Sequence, residues 1–174
     1  LVALRLFERK GFDQVTMDEI AEAAEVSRRT LFRTFPSKTE LVWDGLGEVL
    51  GELKRRAVEQ AETKASLPEL VEGVFALTLR RFEDPAAAKV ARRRLRLIGA
   101  SPELLNHQTI DELQAVLTSM IAAARKPGDP PPDLMARTLV AVGFSSILWW
   151  AQQEEGASAA KAFRDSLATI ARLA

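Results

Sequence analysis

The segment from Thr16 to Lys38, TMDEIAEAAEVSRRTLFRTFPSK, narrows what this chain can fold into more than any other. It begins with Thr16-x-x-Glu19, a pair whose hydroxyl and carboxylate satisfy free backbone N–H groups at a helix start. Ile20, Ala21, Ala24 and Val26 then supply one small apolar face. Ser27 is placed to cap a second helix, over 28–35, whose inward residues are Leu31 and Phe35. Pro36 stops that helix, and Ser37-x-x-Glu40 is a second capping pair that opens a longer one.

Charge is segregated along the same stretch. From Asp18 to Glu25 there are four carboxylates and no cation; from Val26 to Thr39 there are four cations, Arg28, Arg29, Arg33 and Lys38, and no carboxylate. A phosphate backbone beside the second helix would meet only positive charge, hydroxyls and backbone N–H groups. Helix, tight turn and basic second helix form the layout of a helix-turn-helix, whose second helix lies in the major groove. The other reading of the charge pattern is a helical hairpin with a solvated basic face.

Phe7, Gly11-Phe12, Thr16, Ile20-Ala21, Ala24, Val26-Ser27, Thr30-Leu31-Phe32, Phe35 and Ser37-Lys38 together resemble the N-terminal signature of the TetR family of transcriptional repressors. The match covers roughly the first quarter of the chain, at many fixed spacings. By position in that motif, Arg28, Arg29 and Phe32 are the candidates for base-edge contact. Thr16, Ser27, Thr30, Arg33, Thr34 and Lys38 are placed for phosphates. An Arg can grip guanine O6 and N7 with two hydrogen bonds, worth about 1–3 kcal/mol of discrimination. Thr16 and Lys38 can also use helix N-termini, which favour anions. Three positions depart from the commoner family pattern. Glu25 stands where Gly is usual, Phe32 where Tyr is frequent, and Thr34 where a larger aromatic residue or His is found.

Composition sets outer bounds. The 174 residues suit one compact unit with a smaller and a larger part, and the resemblance implies a division into 1–40 for DNA binding and 41–174 for ligand binding and dimerisation. Formal net charge is zero, so attraction to nucleic acid must come from local clustering. There is no cysteine and one histidine, so no disulfide, thiolate metal site or His-rich metal site is expected, nor any cofactor. Neither a signal peptide nor an uninterrupted apolar run long enough to span a bilayer is apparent, and a cytoplasmic location without membrane contact is expected. The chain opens inside a helical pattern, over 1–10, with no capping residue before it. An N-terminal piece, which in the family often carries a basic arm, is therefore expected upstream. Gly11 is a C-terminal cap onto which Phe12 folds back.

The remainder reads as helix throughout, for an all-α fold of about nine helices. A long helix is expected from Leu41 to about Lys64, with Leu41, Val42, Leu46, Val49, Leu50, Leu53 and Ala57 on one side and Trp43 packing between the two parts. Ser66-x-x-Glu69 is a third capping pair, before a helix carrying Leu70, Val71, Val74, Phe75, Leu77, Leu79 and Phe82. Asp84-Pro85 starts a helix that Gly99 should stop, and Ser101-Pro102-Glu103 another that runs to about Arg125. KPGDPPPD, 126–133, is a loop. Helix resumes to about Glu155, with Gly156 as cap, and a last helix covers about 158–173.

The stretch LVAVGFSSILWWA, 139–151, is apolar or small nearly all round, as for a helix buried on every side. In the family the last two helices pair with those of a second subunit in a four-helix bundle. The resemblance thus implies a homodimer, with Leu139, Val142, Gly143, Ser146, Trp149, Phe163, Leu167 and Ile170 as interface candidates. A helix at the centre of one large core is the alternative. Phe75, Leu79, Phe82, Ile98, His107, Leu113, Leu117, Met120, Phe144, Ile147 and Trp150 are candidates for an apolar ligand pocket, or equally for plain core. The cluster Lys89, Arg92, Arg93, Arg94 and Arg96, within RRRLRLI-x-x-SPELL, resembles the C-terminal domain of the mycofactocin-regulator subgroup. Three readings stay open for it: the mouth of a site for an anionic ligand such as an acyl-CoA, which that resemblance implies; contact with the DNA-binding part; or a solvated, salt-bridged face. The function implied is a repressor that leaves a palindromic operator when a small apolar or amphipathic effector binds. Alternatives are a ligand-independent DNA-binding dimer and an enzyme. No catalytic set of Ser, His and Asp, no Gly-rich phosphate loop and no metal cluster is evident for the last.

Overall fold

A computed structural model of the chain describes residues 1–61, 69, 72–73, 75, 79–154 and 156–173; at 46, 49, 50, 53, 57, 60, 61, 81, 170, 171 and 173 the backbone alone is described. The described residues are helical, joined by turns, without a strand. In chain order the helices are α1 (Val2–Lys10), α2 (Met17–Ala23), α3 (Arg28–Thr34), α4 (Lys38–Trp43), α5 (Leu46–Ala61), a 3-10 turn (Arg80–Glu83), α6 (Pro85–Ala100), α7 (Pro102–Leu105), α8 (Gln108–Ala124), α9 (Pro132–Gln152) and α10 (Ala159–Leu173).

The N-terminal helices are held by their ends as much as by their faces. The Thr16 hydroxyl accepts from the Glu19 backbone N–H at 3.2 Å, and the Glu19 carboxylate accepts from the Thr16 N–H at 2.8 Å, so both arms of the capping pair are made. The same carboxylate meets Lys10 Nζ at 2.6 Å. These contacts, the Lys10 hydrogen bond foremost and then the Thr16 backbone, lower the Glu19 pKa from 4.5 to about 2. α2 ends with Glu25 N–H donating to Glu22 and Val26 N–H to Ala21, a Schellman-type stop. That stop requires a left-handed residue, and Glu25 supplies it at φ 55°, alone in positive φ among the described non-glycine residues. The turn thus tolerates a side chain, at the steric cost a glycine avoids.

Where the Ser37 pair was expected to open one long helix, there are two. Ser37 caps α4 through Glu40 N–H, but Glu40 turns its carboxylate to His107. The chain then breaks after Trp43 at Asp44 and Gly45, where φ is +80° and an added Cβ would meet the Arg94 guanidinium at 3.3 Å. The helix expected from Ser101 is likewise split. α7 is a single turn, and His107 restarts the chain as the cap of α8, with Nδ1 accepting the Thr109 N–H. Gly99 does not stop α6, which runs on to Ala100. The Asp84 cap and the 126–131 loop lie where expected, whereas α9 stops at Gln152 with Gln153 as its cap, ahead of Gly156. The Ser66 capping pair, Leu70, Val71, Val74 and Leu77 fall outside the described residues, as do the side chains of Leu46, Val49, Leu50, Leu53, Ala57 and Ile170.

α9 is the central element, packed against α6, α8 and α10. By length and composition it is apolar enough to cross a bilayer, a test that the core helix of a soluble protein also passes. Asp133 and Arg137 interrupt only its first turns. In the fold Ala136, Val140, Gly143, Ser146, Trp150 and Ala151 are buried, while Leu134 and Trp149 are each 55% exposed.

Its C-terminal end rests on Arg92 of α6. The Arg92 guanidinium, 4.1 Å from the Trp150 ring, donates to the carbonyls of Trp150 (2.6 Å), Gln153 (2.7 Å) and Ala157 (3.4 Å). The last carbonyls of a helix lack intrahelical partners and carry its negative dipole end, so a planar cation suits them. Arg96 adds Nε to Ala151 O at 2.6 Å.

Three outcomes follow for stability. Arg92→Met should lower unfolding free energy by about 2–4 kcal/mol in urea titration, because the Trp150, Gln153 and Ala157 carbonyls lose a charged donor. Glu25→Gly should raise it by about 1 kcal/mol by relieving the left-handed side chain. Glu19 has a depressed folded pKa, so its contribution is complete above pH 4.5 and is lost as pH falls towards about 2. The melting-temperature gap between native protein and Glu19→Gln should therefore close over that acid window.

Candidate nucleic-acid interface

α3 is a helix with one buried side chain, Leu31. Arg28, Arg29, Thr30, Phe32, Arg33 and Thr34 are all exposed. So short a helix is unstable alone, and its ends supply what its faces do not. Ser27 Oγ accepts the Thr30 N–H at 3.1 Å and bonds the Thr30 hydroxyl at 2.8 Å. Phe35 closes the other end through its N–H to Leu31 O. The cations therefore stand on the open side of a helix fixed from beneath and from both ends.

The expected contact residues differ in how free they are. Arg29 and Arg33 have no ion pair among the described residues. Arg28 is engaged with Asp18 and lies over the Phe32 ring, 5.3 Å from its centroid. Phe32 is 37% exposed. Thr34 donates its hydroxyl to Thr30 O, and Thr16 donates its own to Glu19. Lys38 Nζ bonds the carbonyls of Phe12 (2.8 Å) and Asp13 (3.4 Å) and sits over the Phe12 ring. Thr16 and Lys38 thus spend their side chains on the scaffold, and each stands at the N-terminal end of a short helix.

A polar seam joins the N-terminal helices to the rest. Arg93 of α6 makes two bonds to Glu8 of α1, at 2.7 and 2.6 Å. The pairing lowers the Glu8 pKa and raises that of Arg93. Arg94 reaches Val42 O and Asp44, each at 3.4 Å. Trp43 donates to Leu104 O at 3.1 Å and stacks on His107 at 4.5 Å, and His107 Nε2 lies 3.2 Å from Glu40. Trp43 accordingly packs where the sequence placed it. Of the readings open for the arginine cluster, the geometry favours contact: two arginines cap α9 and two clasp the N-terminal helices. These pairings span from 50 to 85 residues of sequence, so no local pattern announces them. A cavity of about 280 Å³ lies on the seam, between Glu40, Trp43, Asp44 and His107.

The pocket candidates are mostly core. Ile98, Leu117 and Trp150 are fully buried, with Phe75, Leu79, Phe82 and Met120 nearly so; Leu113, Phe144 and Ile147 are partly buried against them. Phe75 stacks on Phe163, Phe82 on Trp150 and Phe144 on Trp43. Among the interface candidates, Val142, Ser146 and Trp149 line an open groove of about 700 Å³ between α9 and α10. Gly143 and Phe163 face the other way. Phe163 is fully buried, and a Cβ on Gly143 would lie 3.0 Å from Phe75. Leu139 and Leu167 are partly buried on the core.

Residues 2–43 match the family model for bacterial regulatory proteins of the tetR family, and 67–173 that for the MftR C-terminal domain. The chain is 30% identical over 159 residues to a Mycobacterium tuberculosis protein named as the mycofactocin biosynthesis transcriptional regulator MftR, covering 88% of this chain and 78% of that one. It is 27% identical over 166 residues to the transcriptional repressor KstR of Mycolicibacterium smegmatis, covering 89% and 76%. Among solved structures, the fold is similar to that of Thermus thermophilus FadR, a TetR-family repressor in complex with lauroyl-CoA. There the TM-score is 0.63 and the identity 22%, over 98% of this chain and 90% of that one. A TetR-family regulator from Syntrophomonas wolfei aligns at TM-score 0.70 and 18% identity, over 99% and 90%. With both of its segments matched and its exposed basic helix supported as described, this chain belongs to the TetR family of DNA-binding transcriptional regulators.

Proposed function

We propose that the chain is a homodimeric cytoplasmic repressor, with residues 1–40 binding a palindromic operator and residues 41–174 binding an effector and the second subunit. The observation that carries this is α3 itself, a helix with one buried side chain whose exposed residues are cations, hydroxyls and one aromatic ring. In the major groove, Arg28 and Arg29 read guanine edges and Phe32 contacts a thymine methyl. Ser27, Thr30, Arg33 and Thr34 meet phosphates, and the N-termini of α2 and α4, at Thr16 and Lys38, receive two more. The groove between α9 and α10, with half-exposed Trp149 at its edge, takes the same face of a second copy.

The effector belongs to the helical body formed by α5, α6, α8 and α9. An amphipathic ligand of the acyl-CoA class is favoured by the lauroyl-CoA complex of the FadR relative in fold and by the apolar side chains of that body. Ligand binding releases DNA by favouring a conformation whose two α3 helices are wrongly spaced, which needs a few kcal/mol of differential affinity. The Glu8–Arg93, Asp44–Arg94 and Glu40–His107 contacts are where such a shift reaches the N-terminal helices. A regulator returns its ligand unchanged, so an enzyme is the weaker reading.

DNA binding across a salt series tests the roles. Arg28→Ala should cost about 1–3 kcal/mol of discrimination at one base pair. Arg33→Ala should weaken every sequence alike and flatten the salt slope by about one phosphate's worth. A native protein with no sequence preference would refute the assignment of α3. Trp149→Arg should yield a monomer in sedimentation and remove operator binding at nanomolar protein. Lauroyl-CoA at 100-fold excess over its dissociation constant should stabilise the native protein by about 2.7 kcal/mol, without being consumed.

A further inference from the structure

Among the described residues, Arg28 alone of the α3 arginines has an ion pair outside that helix. Its Nη1 donates to Asp18 Oδ2 at 3.2 Å, and its Nε lies 3.1 Å from Asp18 Oδ1. On the other side its guanidinium carbon is 5.3 Å from the centroid of the Phe32 ring. Asp18 stands in the first turn of α2, across the left-handed Glu25 turn from α3.

Stability does not account for this arrangement. The two side chains are 69% and 60% exposed, and exposed ion pairs contribute little. A carboxylate beside a duplex also repels phosphate. Orientation accounts for it better. A free arginine loses rotamer freedom when it docks, and a side chain held in advance loses less. The contact with Asp18 commits one N–H, which leaves the two that guanine O6 and N7 require. The carboxylate also offsets the charge that would draw Arg28 to the nearest phosphate, while leaving its directional hydrogen bonds intact.

We propose that Asp18 is a specificity-determining positioning residue, holding Arg28 against the Phe32 ring so that the two read a guanine beside a thymine methyl. This rests on the reading that α3 lies in the major groove with Arg28 at a base edge.

The test uses the full chain and a randomised duplex pool to select its preferred site. Competition anisotropy on single-base variants of that site then compares native protein, Asp18→Asn, Arg28→Ala and the double variant, with thermal melts to confirm folding. Asp18→Asn should lower discrimination about tenfold at the base pair that Arg28→Ala affects, with the salt slope retained. The double variant should lose no more than Arg28→Ala alone, because the two residues act as one unit. Asp18→Glu should keep part of the preference. Uniformly tighter binding of Asp18→Asn to every duplex, with base preference intact, would show a merely repelling acid and overturn the proposal. If Arg28→Ala itself leaves the preference unchanged, the assignment of α3 fails and the role of Asp18 falls with it. That outcome is distinguishable because it appears in the Arg28 variant alone.

Discussion

The helix end at Trp150 to Ala157 depends on one buried cation, and much of the molecule depends on that end. A helix C-terminus presents carbonyls without partners and the negative end of its dipole. Here Arg92, itself buried, answers with a planar fork of donors stacked on the Trp150 ring. The match fixes α6 against α9, the helix on which α6, α8 and α10 all pack. α6 in turn carries Arg93 and Arg94, which clasp Glu8 and Asp44. One run of arginines thereby sets the register of the central helix and of the N-terminal helices together.

The DNA-facing helix is built on a different principle. A surface that reads bases must stay exposed, so α3 cannot be stabilised by burying its face. Its support comes from the Ser27 cap, the Schellman stop before it, the Leu31 anchor beneath and the Phe35 closure after it. Glu25 in the left-handed region shows that this turn accepts local strain where the chain must reverse tightly. The same economy appears at Thr16 and Lys38, whose side chains serve the scaffold.

Much of the helical plan was legible because capping is local. Thr16 with Glu19, Ser27, Asp84 with Pro85, and Gly11 each act within a few residues, and each lies where its pattern placed it. The failures share a cause. Ser37-x-x-Glu40 looks like the opening of a long helix, but Glu40 is drawn to a histidine 67 residues away, and Gly45 breaks the chain where Arg94 comes close. Ser101-Pro102 opens a single turn, because His107 caps a new helix with its ring nitrogen, a use that composition does not signal. The apolar lists were right about burial and mute about direction, as Gly143 and Phe163 show by facing the core of their own chain.

The helical class, most of the helix starts and the separation of acidic from basic charge across the turn can be read from the chain alone. These follow from neighbours in the chain, where spacing alone decides which groups can meet. That Arg92 and Arg96 hold a helix end while Arg93 and Arg94 hold the N-terminal helices, and that Arg28 is held by Asp18 while Arg29 and Arg33 have no ion pair among the described residues, emerges only in the folded chain. Identical side chains a residue apart point in different directions on a helix. What each one touches is settled by elements brought there from elsewhere in the chain.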